Sequence, residues 1–203
     1  MKMKMKIKYN SPTVLTYAFL CAIVLLLTQF ISPSLTPNWF MVLGKGSFDS
    51  SRIRHWINLF THVIGHASWN HLLSNFAFIL LIGPMLETSY GSLSLLLMIA
   101  VTALVTGVLN VFLFRTALLG ASGVVFMMIL LSSFTNFTEG EIPLTFILVL
   151  ALYLGRELFN SFSENNVSEF AHIAGGFCGS LFGFFRPLKG GPRIPRGPVL
   201  EEL

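Results

Sequence analysis

Long apolar runs with few or no charged side chains recur along the chain, each bounded by a polar or charged cluster. They cover Pro12–Ser32, Leu72–Leu86, Ser92–Phe114, Leu118 to about Phe134, Ile142 to about Phe159 and Phe170–Phe185. Arg156 and Glu157, next to Gly155, stand near the end of the fifth run. Since roughly twenty apolar residues cross a bilayer, the pattern predicts six membrane-spanning helices in an all-α bundle. The second and sixth runs are short, which predicts helices that begin below the membrane surface or lie in a thinned bilayer.

Composition agrees with this pattern. The 203 residues are 54% hydrophobic and 11% charged, with 20 Phe and eight Met. A soluble chain would carry about a quarter charged residues. The division expected is a basic N-terminus over residues 1–11, one membrane domain over 12–187 and a flexible basic tail over 188–203. The two cysteines, Cys21 and Cys178, fall inside the first and sixth runs and read as small buried hydrophobes, with no disulfide expected.

Charge orients the bundle. Lys2, Lys4, Lys6 and Lys8 precede the first run, and Arg186, Lys189, Arg193 and Arg196 follow the last. Lys and Arg flanking spans mark the cytoplasmic side, so both termini read as cytoplasmic, which an even count of spans satisfies. Lys45, Arg52, Arg54 and Arg115 fall outside in this scheme. The net charge of +4 is concentrated in the tails, which membrane topology explains better than nucleic-acid binding. A signal-peptide reading of the N-terminal lysines lacks a small-residue cleavage site after the Cys21–Phe30 run.

Along a six-span path the second, fourth and sixth helices run from outside to inside. His71 and Asn75, Ser122, and His172 then share one depth near the outer face. Polar side chains at membrane depth are costly and usually functional. His71 and Asn75 are four apart and project from one helix face. Gly175, Gly179 and Gly183 follow His172 at three, seven and eleven residues, a stripe that lets a neighbouring helix approach closely. Gly123, beside Ser122, offers a matching recess, and small residues flank the serine in Gly120-Ala121-Ser122-Gly123.

A serine hydroxyl becomes a nucleophile when a neutral imidazole within about 3 Å takes its proton. A tetrahedral oxyanion then needs donors, each worth about 3–4 kcal/mol. The Ser122 backbone N–H, the Asn75 amide and the His71 ring N–H form the available set. No Asp or Glu stands at that depth to orient His172, so a Ser–His dyad is expected rather than a triad. No cofactor is required.

These blocks, in this order, resemble the rhomboid family of intramembrane serine proteases. His71 and Asn75 are similar to its H-x-x-x-N motif. Gly83, Glu87 and Gly91-Ser92 are similar to its G-x-x-x-E…G-S segment. Gly120 to Gly123 is similar to its G-x-S-G motif, and Ala171-His172, Gly175 and Gly179 to its A-H-x-x-G-x-x-x-G. The blocks span about Trp56 to Phe185. The resemblance implies a six-helix fold whose short fourth helix starts at the serine in a water-filled cavity open to the outside. It implies peptide hydrolysis within or beside the transmembrane helix of a single-span or polytopic substrate. It also implies a first loop lying partly in the outer leaflet. Here Pro33–Asn70, with Trp39, Phe40, Trp56 and Trp69, has the aromatic content of such an element. Trp56-Ile57 stands where many members have Trp-Arg, and Phe126 stands where a member can carry Tyr against the base. Phe126 can still stack on His172. Lack of a transit peptide suggests a bacterial cytoplasmic membrane.

Other readings compete for the same residues. Ser122 alone could be a serine that glues membrane helices. His62 and His66, spaced i,i+4 ahead of His71, tempt a metal reading, but no carboxylate or Cys joins them, and a loop-bracing role is expected. Asn110 in the third run is expected to make an interhelical hydrogen bond. A non-proteolytic binding protein on the same fold would typically lack Ser122 or His172. A small transporter would leave Ser122 and the glycine stripe without a role.

Overall fold

Each of the six apolar runs holds one helix in the computed structural model, which describes residues 8–135, 142, 144–160 and 166–185, with backbone alone at 153–160 and 166–169. Six helices correspond to the runs: α1 (Pro12–Phe30), α4 (Trp69–Tyr90), α5 (Ser92–Leu113), α6 (Ser122–Ser132), α7 (Leu144–Asn160) and α8 (Asn166–Phe185). Two more, α2 (Leu35–Trp39) and α3 (Ile53–Thr61), lie in the first loop. Among the described residues there is no strand, only an isolated antiparallel bridge between Val42 and Leu118. α1, α4 and α5 are each long and apolar enough to cross a membrane, while α6 and the stretch Phe170–Phe185 are shorter apolar helices. The lysines at positions 2–6, residues 136–141 of the expected inner loop and the tail from Arg186 lie outside the described residues, as do the side chains of Arg156 and Glu157.

α6 is the axis of the molecule. Every residue from Gly123 to Leu131 is buried. A helix that is apolar all round must be covered all round, and α4, α5, α7 and α8 pack against it. The outer helices keep large apolar side chains exposed, among them Phe19, Leu81, Leu93, Phe112 and Leu152. So extensive an exposed apolar surface suits lipid rather than water.

The second helix is longer than its apolar run. It starts at Trp69 because the Ser68 side chain, on an extended residue, accepts a hydrogen bond from the His71 N–H at 3.2 Å. It continues past Leu86 because Glu87 is not left as a bare charge. Its carboxylate accepts the Thr13 N–H at 2.9 Å and the Val14 N–H at 3.1 Å, capping α1 from the neighbouring helix. The cap is matched by packing one turn away, where a β-carbon at Gly83 would sit 2.8 Å from a Val14 methyl. α8 likewise begins before its apolar run, with polar Asn166, Ser168 and Glu169 in its first turn.

The first loop is tied down by backbone carbonyls. Asn58 donates through Nδ2 to the carbonyls of Asn38 at 3.1 Å and Met41 at 2.9 Å, and Thr61 donates to that of Trp39. The Tyr17 hydroxyl of α1 donates to the Val63 carbonyl at 2.8 Å. α3 turns His55, Asn58 and Leu59 inward while Ile53, Trp56, Ile57 and Phe60 stay exposed. That split gives the loop an apolar outer stripe at helical spacing.

Candidate functional site

Leu118 does not begin the fourth helix, as its hydropathy suggested. It pairs with Val42 of the first loop, each N–H bonding the other's carbonyl at 2.9 Å. The chain then turns at Gly120, whose φ of +118° is a conformation that side-chain-bearing residues rarely adopt. The Gly120 N–H is held by the carbonyl oxygen of His62 at 2.9 Å. A second constraint falls on the same glycine: a β-carbon there would lie 2.6 Å from Cε1 and 2.7 Å from Nε2 of the His71 ring. The helix starts immediately afterwards, with half-buried Ser122 as its first residue. The N–H groups of a first helical turn have no partner within their own helix and lie at its positive end.

α8 lies against α6 along the glycine stripe. A β-carbon at Gly175 would collide with the Gly123 carbonyl oxygen, one at Gly179 with that of Met127, and one at Gly183 with the Phe134 ring. On the other side, a β-carbon at Gly123 would meet the Ala171 carbonyl oxygen at 3.3 Å. This contact carries His172 to the first turns of α6. Its ring stacks flat on Phe126, one turn after Ser122, with centroids 4.1 Å apart and planes within 9°.

The third wall is the start of α4. Besides touching Gly120, the His71 ring stands edge-on to His66 at a centroid distance of 5.1 Å. Asn75 is buried, and its Nδ2 lies 3.1 Å from Nε2 of His66. The other nitrogen of His66, Nδ1, faces the Ile64 carbonyl at 3.1 Å. A carbonyl can only accept, so Nδ1 carries the proton and Nε2 accepts from the Asn75 amide. Burial pushes the His66 pKa down to about 4, which favours this neutral form.

His62 is buried at the end of α3, with Nδ1 3.2 Å from the Asn58 carbonyl and Nε2 3.3 Å from the Thr106 hydroxyl of α5. Burial lowers its pKa to about 4 as well. The two histidines expected to brace a loop therefore hold defined objects: His62 holds Gly120 through its backbone, and His66 holds the Asn75 side chain. Their place just ahead of the His71/Asn75 pair was the available signal. Nothing in the sequence pointed to Asn58 or Thr106. Asn110, expected to bond across helices, instead donates to the Thr116 carbonyl at 3.1 Å, in the connection that follows its own helix. Among the described residues no cluster of three or more His, Cys, Asp or Glu could hold a metal ion.

The start of α6, with Ser122, thus stands between the His71 ring of α4, which touches Gly120, and α8. Gly175 and Gly179 of α8 press on the Gly123 and Met127 carbonyls, and its His172 stacks on Phe126. Asn75 follows one turn after His71, and this region is the candidate site. It offers a hydroxyl at a helix start, an imidazole and amide N–H donors, which is the equipment of acyl transfer.

The rhomboid domain model matches residues 54–188. Among curated proteins, the chain is 26% identical over 127 residues to Rhomboid protease GlpG of Haemophilus influenzae, over 61% of this chain and 66% of that protein. It is 25% identical over 162 residues to Rhomboid-like protein 11, chloroplastic, of Arabidopsis thaliana, over 71% of this chain and 58% of that protein. The matched stretches span less than two thirds of either relative's length.

Proposed function

The chain belongs to the rhomboid family and is embedded in a membrane, and from that premise we propose that it is an intramembrane serine endopeptidase working by a Ser122–His172 dyad. Its substrates are single-span or polytopic membrane proteins, cut in or next to their transmembrane segments. The observation that carries this reading is the stack of the His172 ring on Phe126, one turn from Ser122, made possible by the closure of Gly175 on Gly123.

In the mechanism, His172 takes the proton of the Ser122 hydroxyl as its oxygen attacks the scissile carbonyl. The oxyanion is met by the Ser122 backbone N–H, the Asn75 amide and the His71 ring N–H. His172 then gives the proton to the leaving amine, and water, activated by the same imidazole, frees the acyl group. Gly120 keeps the turn ahead of the nucleophile open to His71. Gly123, Gly175 and Gly179 keep base and nucleophile on touching helices, and Phe126 fixes the plane of the base.

The proposal extends to topology: six spans, both termini cytoplasmic, the site opening to the outer side, and a bacterial cytoplasmic membrane as the location. Lysines before α1 and basic residues after α8 support that orientation.

Ser122→Ala and His172→Ala should each abolish cleavage of a model single-span substrate in detergent or proteoliposomes, with folding retained. Robust cleavage by Ser122→Ala would overturn the mechanism. Capture of transmembrane segments by wild-type protein without any cleavage would favour the alternative, a non-proteolytic binding protein on the same fold.

A further inference from the structure

Asn75 hydrogen-bonds a side chain that none of the proposed chemistry uses. His66 stands in the segment between α3 and α4, fully buried, with Nδ1 on the Ile64 carbonyl at 3.1 Å and Nε2 on the Asn75 Nδ2 at 3.1 Å. The two contacts are linked by the tautomer. Because the carbonyl fixes the proton on Nδ1, Nε2 presents a lone pair, and only the NH2 end of the Asn75 amide can answer it. Which end of an amide points where is set by its hydrogen-bond partners rather than its shape. His66 therefore selects one orientation of Asn75, uses one of its two N–H bonds and leaves the other with a fixed direction.

We propose that His66 is a positioning residue for the reaction: its Nε2 lone pair holds the Asn75 amide so that the remaining N–H stays aimed at the developing oxyanion. The inference rests on the protease reading and on Asn75 as an oxyanion donor. An oxyanion exists only in the transition state, so loss of this control lowers kcat and leaves KM unchanged.

Two substitutions separate the halves of the histidine. The oxygen of His66→Gln can stand where Nε2 stands and still accept from Asn75. The amide of His66→Asn can replace Nδ1 on the Ile64 carbonyl but cannot reach Asn75. The full chain in detergent is assayed by cleavage of a single-span substrate and by the rate at which a fluorophosphonate probe labels Ser122. His66→Asn should lose about tenfold to a hundredfold in kcat and labelling rate, less than or equal to the loss of a whole oxyanion donor. His66→Gln should stay within about threefold of wild type.

In an Asn75→Ala background, His66→Asn should cost nothing further, because there is no amide left to position. Full additivity of the two losses, or a loss in His66→Gln as deep as in His66→Asn, would overturn the proposal. If His66→Asn does not fold, His66→Gln decides alone: a tenfold fall at unchanged melting temperature sinks the idea. Cleavage by Ser122→Ala marks the separate failure of the protease reading, which takes this proposal with it.

Discussion

Gly175 of α8 presses on the carbonyl oxygen of Gly123 in α6 with no room for a β-carbon between them. Gly176, one residue on, has space: a β-carbon there would meet only Leu130 side-chain carbons, at 3.7 Å. Gly175→Ala must push α8 outward and carry His172 off the first turns of α6. Overpacking of this kind costs about 1–3 kcal/mol in stability, and a displacement near 1 Å at reacting groups costs about a hundredfold in rate. Gly175→Ala should therefore lose activity far beyond its loss of melting temperature, while Gly176→Ala keeps both. Substrate cleavage and thermal unfolding of the two variants check this; equal effects would refute the helix-contact argument.

His172 and Phe126 share nearly parallel ring planes, so Phe126 limits the tilt of the imidazole. Aromatic pairs contribute about 0.5–1.5 kcal/mol beyond the area they bury. That corresponds to a rate loss of about two- to tenfold when the stack is removed and an apolar side chain of most of its volume remains. Phe126→Leu should show this loss in kcat, and Phe126→Tyr should not. The pair of kcat values is the measurement; a Leu variant at the wild-type rate would show that Phe126 only fills space.

Sequence made visible what depends on local spacing. The three glycines after His172 repeat every four residues, so their common face could be read directly, as could His71 and Asn75. What escaped was non-local. Leu118 looked like helix because it is apolar, but it pairs with Val42, far away in the chain. Glu87 looked like the end of a helix because its partners, the Thr13 and Val14 N–H groups, belong to another one. Hydropathy marked polar Ser68 and Asn166 as lying outside the spans, although polar residues are what start helices. The roles of His62 and His66 depend on Gly120 and Asn75, whose positions the fold alone decides. The first loop read as interfacial from its aromatics, but its two short helices and the Asn58 anchor carried no signal strong enough to find.

Glu87 offers a test of how α1 is held. Its carboxylate satisfies two backbone N–H groups at the start of α1, where Ser11, the N-cap, makes no side-chain capping bond. A negative charge at a helix N-terminus adds to the hydrogen bonds themselves. Glu87→Ala should lower stability by about 1–2 kcal/mol, the range for removing a cap, and Glu87→Gln should lose less because one acceptor remains. Activity per folded molecule should change little, since the cap lies near the end of α4 remote from His71. Thermal unfolding and specific activity check this; an unchanged melting temperature for Glu87→Ala would mean that α1 is held by packing alone.

His62 and His66, both outside the spanning helices, fix how stability should respond to acid. Burial holds both imidazoles neutral down to about pH 4 in the folded chain, against an ordinary value of 6.5. Between those limits the unfolded chain binds more protons than the folded one. Folded-state stability is therefore retained above pH 6.5 and lost as pH falls toward about 4. Within that window each group contributes a slope of about 1.4 kcal/mol per pH unit. Melting temperatures measured in detergent from about pH 7.5 down to about pH 4 should fall along this curve. His66 also faces the titratable ring of His71 at 5.1 Å, so the control must leave His71 in place. The double variant His62→Gln, His66→Gln cannot titrate at either position and should flatten the curve. A curve equally steep in that variant would assign the acid sensitivity to other groups, and the two histidines would then owe their burial to shape rather than to neutrality.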